Sequence, residues 1–397
     1  MKKAPRLIGL ILAFSLVFGA GYFAGSTSPV GVTQAQQPSE TEATFAPFWE
    51  VWTILKQRFL YTERMDDTGL MEAALNGLVN SLGDENTAYM SPAVYSDLTN
   101  RLSGEYEGIG ATVRKDEKTG GVYIVSTTPG SPARAQLRQG DIILSVNGND
   151  ITGVTITEAV SQIRGPEGTF VELSVLRREG GEIETLRVQR AKIKREIVTA
   201  TVFEGNIGYI GISSFAESVP EDMARALREM NANSLNGLIL DMRNDPGGGL
   251  QTAIDVASFF LEDGTVIIQR GRTKEQTVNW AVSREAIAPD VPLVVILNQA
   301  SASASELVAG ALQDRGRAKV VGTYSFGKGS IQQWLQLSNG GGIRVTIAEF
   351  FKPSGGVINH IGILPNVFVG WTEDQAVDMP WYDPQISEAI MLLRGEF

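Results

Sequence analysis

The chain has 397 residues, 43% of them hydrophobic, enough for two or three domains each with its own core. A formal net charge of −11, with no basic cluster to override it, argues against nucleic-acid binding. Cys is absent and His360 is the single histidine, which excludes disulfides, thiolate-metal sites and histidine-rich metal centres.

Lys2, Lys3 and Arg6 precede a charge-free apolar run over residues 7–25, interrupted only by Ser15. The run is close to the span of a bilayer, so residues 1–25 read as a signal anchor or a signal peptide. The anchor is favoured, because Thr33 in the candidate cleavage site Thr33-Gln34-Ala35 is larger than the residue usual there. The preceding positive charges direct the rest of the chain out of the cytoplasm, into the cell envelope or, after cleavage, the medium. Residues 26–44 are rich in Ser, Thr, Gln and Pro and read as a flexible linker. Residues 45–103 read as helical. Phe48, Val51, Trp52, Leu55 and Phe59 recur at helical spacing, a second helix over 66–82 is stopped by Gly83, and a third follows Ser91-Pro92. This segment offers no evident catalytic group.

Residues 104–190 read as a small β-rich module, with strands over 110–113 and 122–125 and the run SPARAQLRQGDIILSVNGNDI. Asn147-Gly148 is a tight hairpin turn, and an amphipathic helix covers 155–163. The module resembles a PDZ domain. That resemblance implies that Tyr106, Gly108, Ile109, Gly110 and Ala111 of YEGIGA form the loop that holds a peptide's C-terminal carboxylate, beside a strand edge that pairs with the peptide. Gln136 departs from the glycine usual in that family. Arg164 either reaches the carboxylate or serves as a helix-terminal cation or surface salt bridge.

A core domain over 191–375 follows, entered through a linker at 191–198. Strand 207–212, helix 220–230 and buried strand 237–242 lead to the glycine turn of DMRNDPGGGL and a helix over 250–261. Strands over 266–269 and 277–281 follow, and a hairpin covers 333–337 and 343–350. The tail, 376–397, holds an amphipathic helix over 383–393.

Between these lies the most informative stretch. An apolar run over 293–297 gives way to small residues at 300–305. A helix pattern with Leu307, Val308, Ala311 and Leu312 comes next, then a strand over 319–324. A serine at the turn from a buried strand into a helix is well placed as a nucleophile, because the helix N-terminus offers free N–H groups and partial positive charge to an oxyanion. Its base is either His360 or a lysine whose pKa burial lowers. Lys328, between Gly327 and Gly329 in a segment short of charge, is the best-placed lysine. Ser303 and Glu306 also match a capping box, in which the serine only satisfies a helix N–H.

SASASELVAGALQD followed by FGKGSIQ resembles the carboxyl-terminal processing peptidases, or tail-specific proteases, serine enzymes with a PDZ domain and a Ser-Lys pair. The resemblance implies Ser303 as nucleophile, Lys328 as base and Gln332 as the residue that orients the lysine. It implies an oxyanion hole of the Gly248 and Ala304 N–H groups. The third glycine and Asp245 depart from the usual N-P-G-G-L, and Asp245 is expected to face solvent or Arg243. Ser301 and Ser305 are expected to cap or pack, Asp314 and Arg317 to pair with each other or the backbone, and His360 to be structural. SLGDENTAYMSP resembles the family's N-terminal helical region, which implies assembly or dimerisation through those helices.

The implied architecture is mixed α/β: an N-terminal helical segment, a PDZ domain and a crotonase- or caseinolytic-like ββα spiral core. The implied function is an extracytoplasmic serine endopeptidase acting on proteins or peptides with free C-termini, needing no metal or organic cofactor. The alternative is a non-catalytic PDZ adaptor with an inert core, against which Ser303, Lys328 and Gln332 occur together. An acyl-thioester enzyme on a crotonase-like core would need a nucleotide-binding loop that the sequence does not offer.

Overall fold

Two runs of five residues organise the core. Gly237–Asp241 and Leu293–Leu297 are buried at every position and lie side by side as parallel strands. Continuous apolar runs of this kind suit strands covered on both faces. They are the centre of a six-stranded sheet. Val198–Phe203 and Ile207–Ile212 form an antiparallel hairpin on one side, and Ala318–Gly322 and Val367–Phe368 continue in parallel on the other. Helices Val219–Glu229, Leu250–Ser258 and Ala304–Asp314 contribute to the main apolar cluster. The other face of the sheet packs on Pro384–Arg394 through Ile386, Ala389 and Ile390.

The computed structural model describes residues 39–102, 104–178, 181–371 and 382–396. The expected anchor over 1–25, most of the linker and the start of the tail lie outside them. Among the described residues no helix is long and apolar enough to cross a membrane. The chain divides into two compact units, Met1–Ala74 and Leu75–Phe397. In the first, helix Ser39–Arg58 begins inside the span read as linker, and Lys56 pairs with Asp67 at 2.6 Å.

In the second unit, Ala88–Met90, Thr265–Gly271, Thr277–Ala281, Ser330–Gln336 and Gly342–Phe351 form a five-stranded sheet. The β-rich module has its own core, including Ile124, Ile143, Leu173 and Val175. Its sheet ends in an edge strand, Ala111–Lys115, paired only with Val122–Thr127. Asn147 and Gly148 both take positive φ, 50° and 80°, as the tight hairpin requires. The expected linker at 191–198 is largely ordered instead. Ala191–Lys194 pairs antiparallel with Glu105–Gly108, so the chain enters and leaves the module through one two-stranded ribbon. Ladder hydrogen bonds hold these residues, a pairing that composition alone does not reveal.

Arg190, 8% exposed at the exit of the module, holds helix Ile156–Ile163 in place. Its guanidinium donates to the Ile163 and Gln162 carbonyls (2.8 and 3.1 Å), to Phe170 O and to Thr169 Oγ1, with no carboxylate among these partners. Burial pulls its pKa below the ordinary arginine value. Arg190→Met leaves these acceptors unsatisfied and is expected to cost about 2–3 kcal/mol. Urea denaturation of the whole chain measures the loss.

Candidate active site

Because Gly237–Asp241 and Leu293–Leu297 are adjacent and parallel, the loops leaving their C-terminal ends meet, where open α/β sheets commonly place their sites. Ser303 stands at the start of helix Ala304–Asp314 with φ 55° and ψ −108°, a strained backbone for a residue with a side chain. Neighbouring serines brace this turn. Ser301 Oγ donates to Met242 O (2.8 Å), and Ser305 Oγ donates to Asp245 O (3.1 Å). Ala302 N–H donates to the same Asp245 carbonyl at 3.0 Å. The Glu306 half of the capping box is firm, with Ser303 N–H donating to Glu306 Oε2 at 2.8 Å. The Ser303 hydroxyl makes no capping hydrogen bond of normal geometry.

The glycine turn lies against this serine. A Cβ on Gly247 would sit 2.9 Å from both Ser303 Cβ and Ala304 N, and one on Gly248 would sit 2.3 Å from Phe215 O. Phe215 pairs with the turn from below: its N–H donates to Gly247 O, and its carbonyl accepts from Gly249 N–H. Between those bonds, the Gly248 N–H has no hydrogen-bond partner among the described residues, and neither has the Ala304 N–H. Two free N–H groups flanking a serine can receive an oxyanion.

Asp245 does not face solvent or Arg243. It is 0% exposed, and its Oδ1 accepts the Gly247 N–H at 2.8 Å, closing the turn locally. Arg243 turns instead to Asp241 and Asp383. The strand end runs beneath the serine helix, which carries this side chain inward. Asp314 and Arg317 do not pair with each other. Asp314 meets Lys352, while Arg317 donates to the carbonyls of Phe260, Ala288 and Val291.

Lys328 and Ser303 are linked by Glu306. This fully buried carboxylate accepts four hydrogen bonds: Ser303 N–H and Lys328 N–H on Oε2, Gly327 N–H and Ser325 Oγ–H on Oε1. Phe326 N–H adds a bond to Ser301 O, and His360, exposed with φ 60°, donates its N–H to Gly327 O. Burial and the charge of Arg344 push the Lys328 pKa below the ordinary lysine value, against the opposing pull of Glu306 and Asp84. No hydrogen bond joins the Lys328 ammonium to the Ser303 hydroxyl. Gln332, on the strand that follows, donates through Nε2 to Ser330 Oγ (2.8 Å) and Thr346 Oγ1 (3.4 Å), and among the described residues no bond from the lysine to its Oε1 is present.

The model of peptidase family S41 matches residues 206–369, and that of the PDZ domain matches 99–176. A carboxy-terminal-processing protease of Bartonella bacilliformis is 35% identical over 360 residues, covering 89% of this chain and 82% of that protein. The chain belongs to the carboxy-terminal processing protease family. It is also similar to the carboxy-terminal processing protease CtpB of Bacillus subtilis, 33% identical over 381 residues that cover 92% of this chain and 78% of that one. In fold it is similar to a putative S41 protease from Bacteroides fragilis, with a TM-score of 0.54 at 16% identity, covering 87% and 97% of the two chains. The protein is therefore a serine-type peptidase with a PDZ domain.

In this processing protease a cavity of about 670 Å³ lies between the PDZ module and the core. Gly108, Ile109, Gly110 and Ala111 line it with Tyr106 and Arg164, and the core contributes Ser213 and Ser214. Arg164 pairs with Asp97 at 3.2 Å and its guanidinium lies 5.4 Å from the Tyr106 ring centroid. Ser213 and Ser214 precede Phe215, so the cavity wall continues directly into the residue that bridges to the glycine turn.

Sequence reasoning read Glu306 as a cap and missed its bond to the lysine loop. It also found no chemistry in the N-terminal segment. There, burial pushes the Asp84 carboxyl up, but bonds from Thr346, Thr87 and Asn86 with the Arg344 charge hold it below its usual value. Its charge acts on Lys328. The S-x-x-E spacing was the only available signal for Glu306, and Asp84 left none. Glu306→Gln sets an NH₂ against two donors in either orientation. Peptidase kcat/KM is expected to fall by about 10²-fold with lowered thermal stability, read by reporter-peptide turnover and a melting curve.

Proposed function

We propose that the protease is an extracytoplasmic endopeptidase that captures substrate C-termini in its PDZ groove and cleaves with Ser303 and Lys328. Ser303 Oγ attacks the scissile carbonyl while neutral Lys328 takes its proton and later returns it to the leaving amine. The Gly248 and Ala304 N–H groups receive the oxyanion, and Gln332 orients the ammonium. The acyl-enzyme is then hydrolysed by water. The observation that carries this reading is the strained Ser303 at a helix start beside two free N–H groups, joined through Glu306 to a lysine of lowered pKa. Lys2, Lys3 and Arg6 ahead of the apolar run 7–25 support the location.

The groove takes a peptide as an added strand on the edge Ala111–Lys115, with its carboxylate at Tyr106, Gly108, Ile109, Gly110 and Ala111. Arg164 supplies positive charge at that end. The unjoined Ser303 and Lys328 side chains support a resting arrangement, which a docked C-terminus shifts toward the competent one. Homo-oligomerisation through the N-terminal helices belongs to the same reading.

Ser303→Ala is expected to abolish labelling by a fluorophosphonate probe and lower kcat by at least about 10³-fold, with the fold retained. Lys328→Arg is expected to be as inactive as Lys328→Ala, because guanidinium stays protonated. A lowered lysine pKa leaves more of the neutral base as pH rises, so wild-type kcat/KM climbs through a midpoint below about 10.4. An active Lys328→Arg enzyme would remove Lys328 from the mechanism.

Peptides with free, apolar C-termini are expected to bind and raise turnover of a separate reporter, whereas amidated peptides do neither. A paired titration checks this, and equal stimulation by both forms counts against groove sensing.

A further inference from the structure

Asp245 is a buried ionisable side chain at the site for which the mechanism above has no use. It lies between the glycine turn and the serine helix at 0% exposure. Its carbonyl accepts from Ala302 N–H and Ser305 Oγ–H, both on the nucleophile side, and its Oδ1 accepts from Gly247 N–H on the oxyanion side. Its Oδ2 is buried without a hydrogen-bond partner.

The charged groups on the adjoining elements are engaged elsewhere. Arg243 and Asp241 pair with each other, and Arg243 also reaches Asp383. Glu306 serves the Ser303, Gly327 and Lys328 amides, and Asp314 at the far end of the serine helix meets Lys352. The Lys328 ammonium is subject to Arg344, Glu306 and Asp84. Asp245 thus has no counter-ion. Burial pushes its carboxyl up to about 8, against the lowering effect of the Gly247 hydrogen bond and the nearby Ser305 hydroxyl.

A negative charge here would stand in the same turn as the Gly248 N–H, in a water-poor setting where like charges repel strongly. We propose that Asp245 is a positioning residue that works only while it carries its proton. As a neutral acid it braces Gly247, Gly248 and Gly249 against the serine helix with the Gly248 N–H ready for the oxyanion. When its proton passes to solvent at higher pH, the orphaned carboxylate strains the turn and opposes the oxyanion. The proposal rests on the reading of Gly248 as an oxyanion donor.

The test compares kcat/KM against pH for the wild type and Asp245→Asn, an uncharged side chain of the same shape. Beyond the rise due to Lys328, the wild type should fall above a midpoint near pH 8. The fall follows from a required proton, at about tenfold per pH unit. In Asp245→Asn the ratio of rates at pH 9 and pH 7 should be about tenfold higher than in the wild type. Asp245→Ala, lacking the brace, should lose activity at every pH.

A second arm needs no catalysis. In a Ser303→Ala background, Tm is followed against pH with Asp245 present and with Asp245→Asn. The folded carboxyl pKa lies above the ordinary aspartate value, so its contribution is fully present below about pH 4 and is lost as pH rises to about 8. The Asp245 protein should therefore lose Tm over that window more steeply than the Asn protein. If the enzyme proves inactive, this arm still decides the charge state while the catalytic reading fails by itself. An unchanged alkaline limb in Asp245→Asn, a uniform loss at all pH, or equal Tm slopes would each overturn the proposal. Should Asp245→Asn not fold, a wild-type log kcat/KM whose slope against pH does not drop by about one near pH 8 would do the same.

Discussion

The site depends on one buried carboxylate. Glu306 lies on the first turn of the serine helix, yet two of its four donors are backbone amides of the lysine loop. A buried anion is costly unless its lone pairs are occupied, and here each oxygen accepts two hydrogen bonds. The arrangement ties the Ser303 backbone to the Lys328 backbone. It also helps to hold Ser303 at its strained φ of 55°, which a less constrained turn would relax.

Two carboxyls flank Ser303 in opposite circumstances. Glu306 meets a full set of donors, whereas Asp245 meets one with Oδ1 and none with Oδ2. The difference follows from which backbone each meets. Glu306 faces a loop that turns its N–H groups inward. Asp245 sits under the serine turn and helix start, whose Ala302 N–H and Ser305 Oγ–H go to its own carbonyl. Both are anchored by parallel strands that bring their following loops together, as the reciprocal bonds between Asn244 and Asn298 illustrate.

The cavity beside the PDZ module and the glycine turn share a wall. Ser213 and Ser214 line the cavity, and Phe215 clasps Gly247 and Gly249 on either side of the free Gly248 N–H. In the function proposed above, a ligand that displaces that wall acts on the glycine turn through backbone hydrogen bonds rather than through a flexible linker. The ribbon of Glu105–Gly108 with Ala191–Lys194 gives the module a defined attachment beside the same wall.

The sequence by itself determined the elements and the chemistry on offer. The apolar run at Leu293–Leu297, the small residues after it and the helix Ala304–Asp314 were legible because strand and helix periodicities are local. Ser303, Lys328 and the glycine turn were singled out by a resemblance carried by short contiguous motifs. Only the tertiary structure decided what the polar side chains meet. It turned Asp245 inward, gave Glu306 to the lysine loop, engaged Gln332 with Ser330 and Thr346, and brought the charge of Asp84 to bear on Lys328. Periodicity reports which face of an element is apolar. The partner of a buried polar group is set by how segments far apart in the chain pack, and that information is in no single stretch.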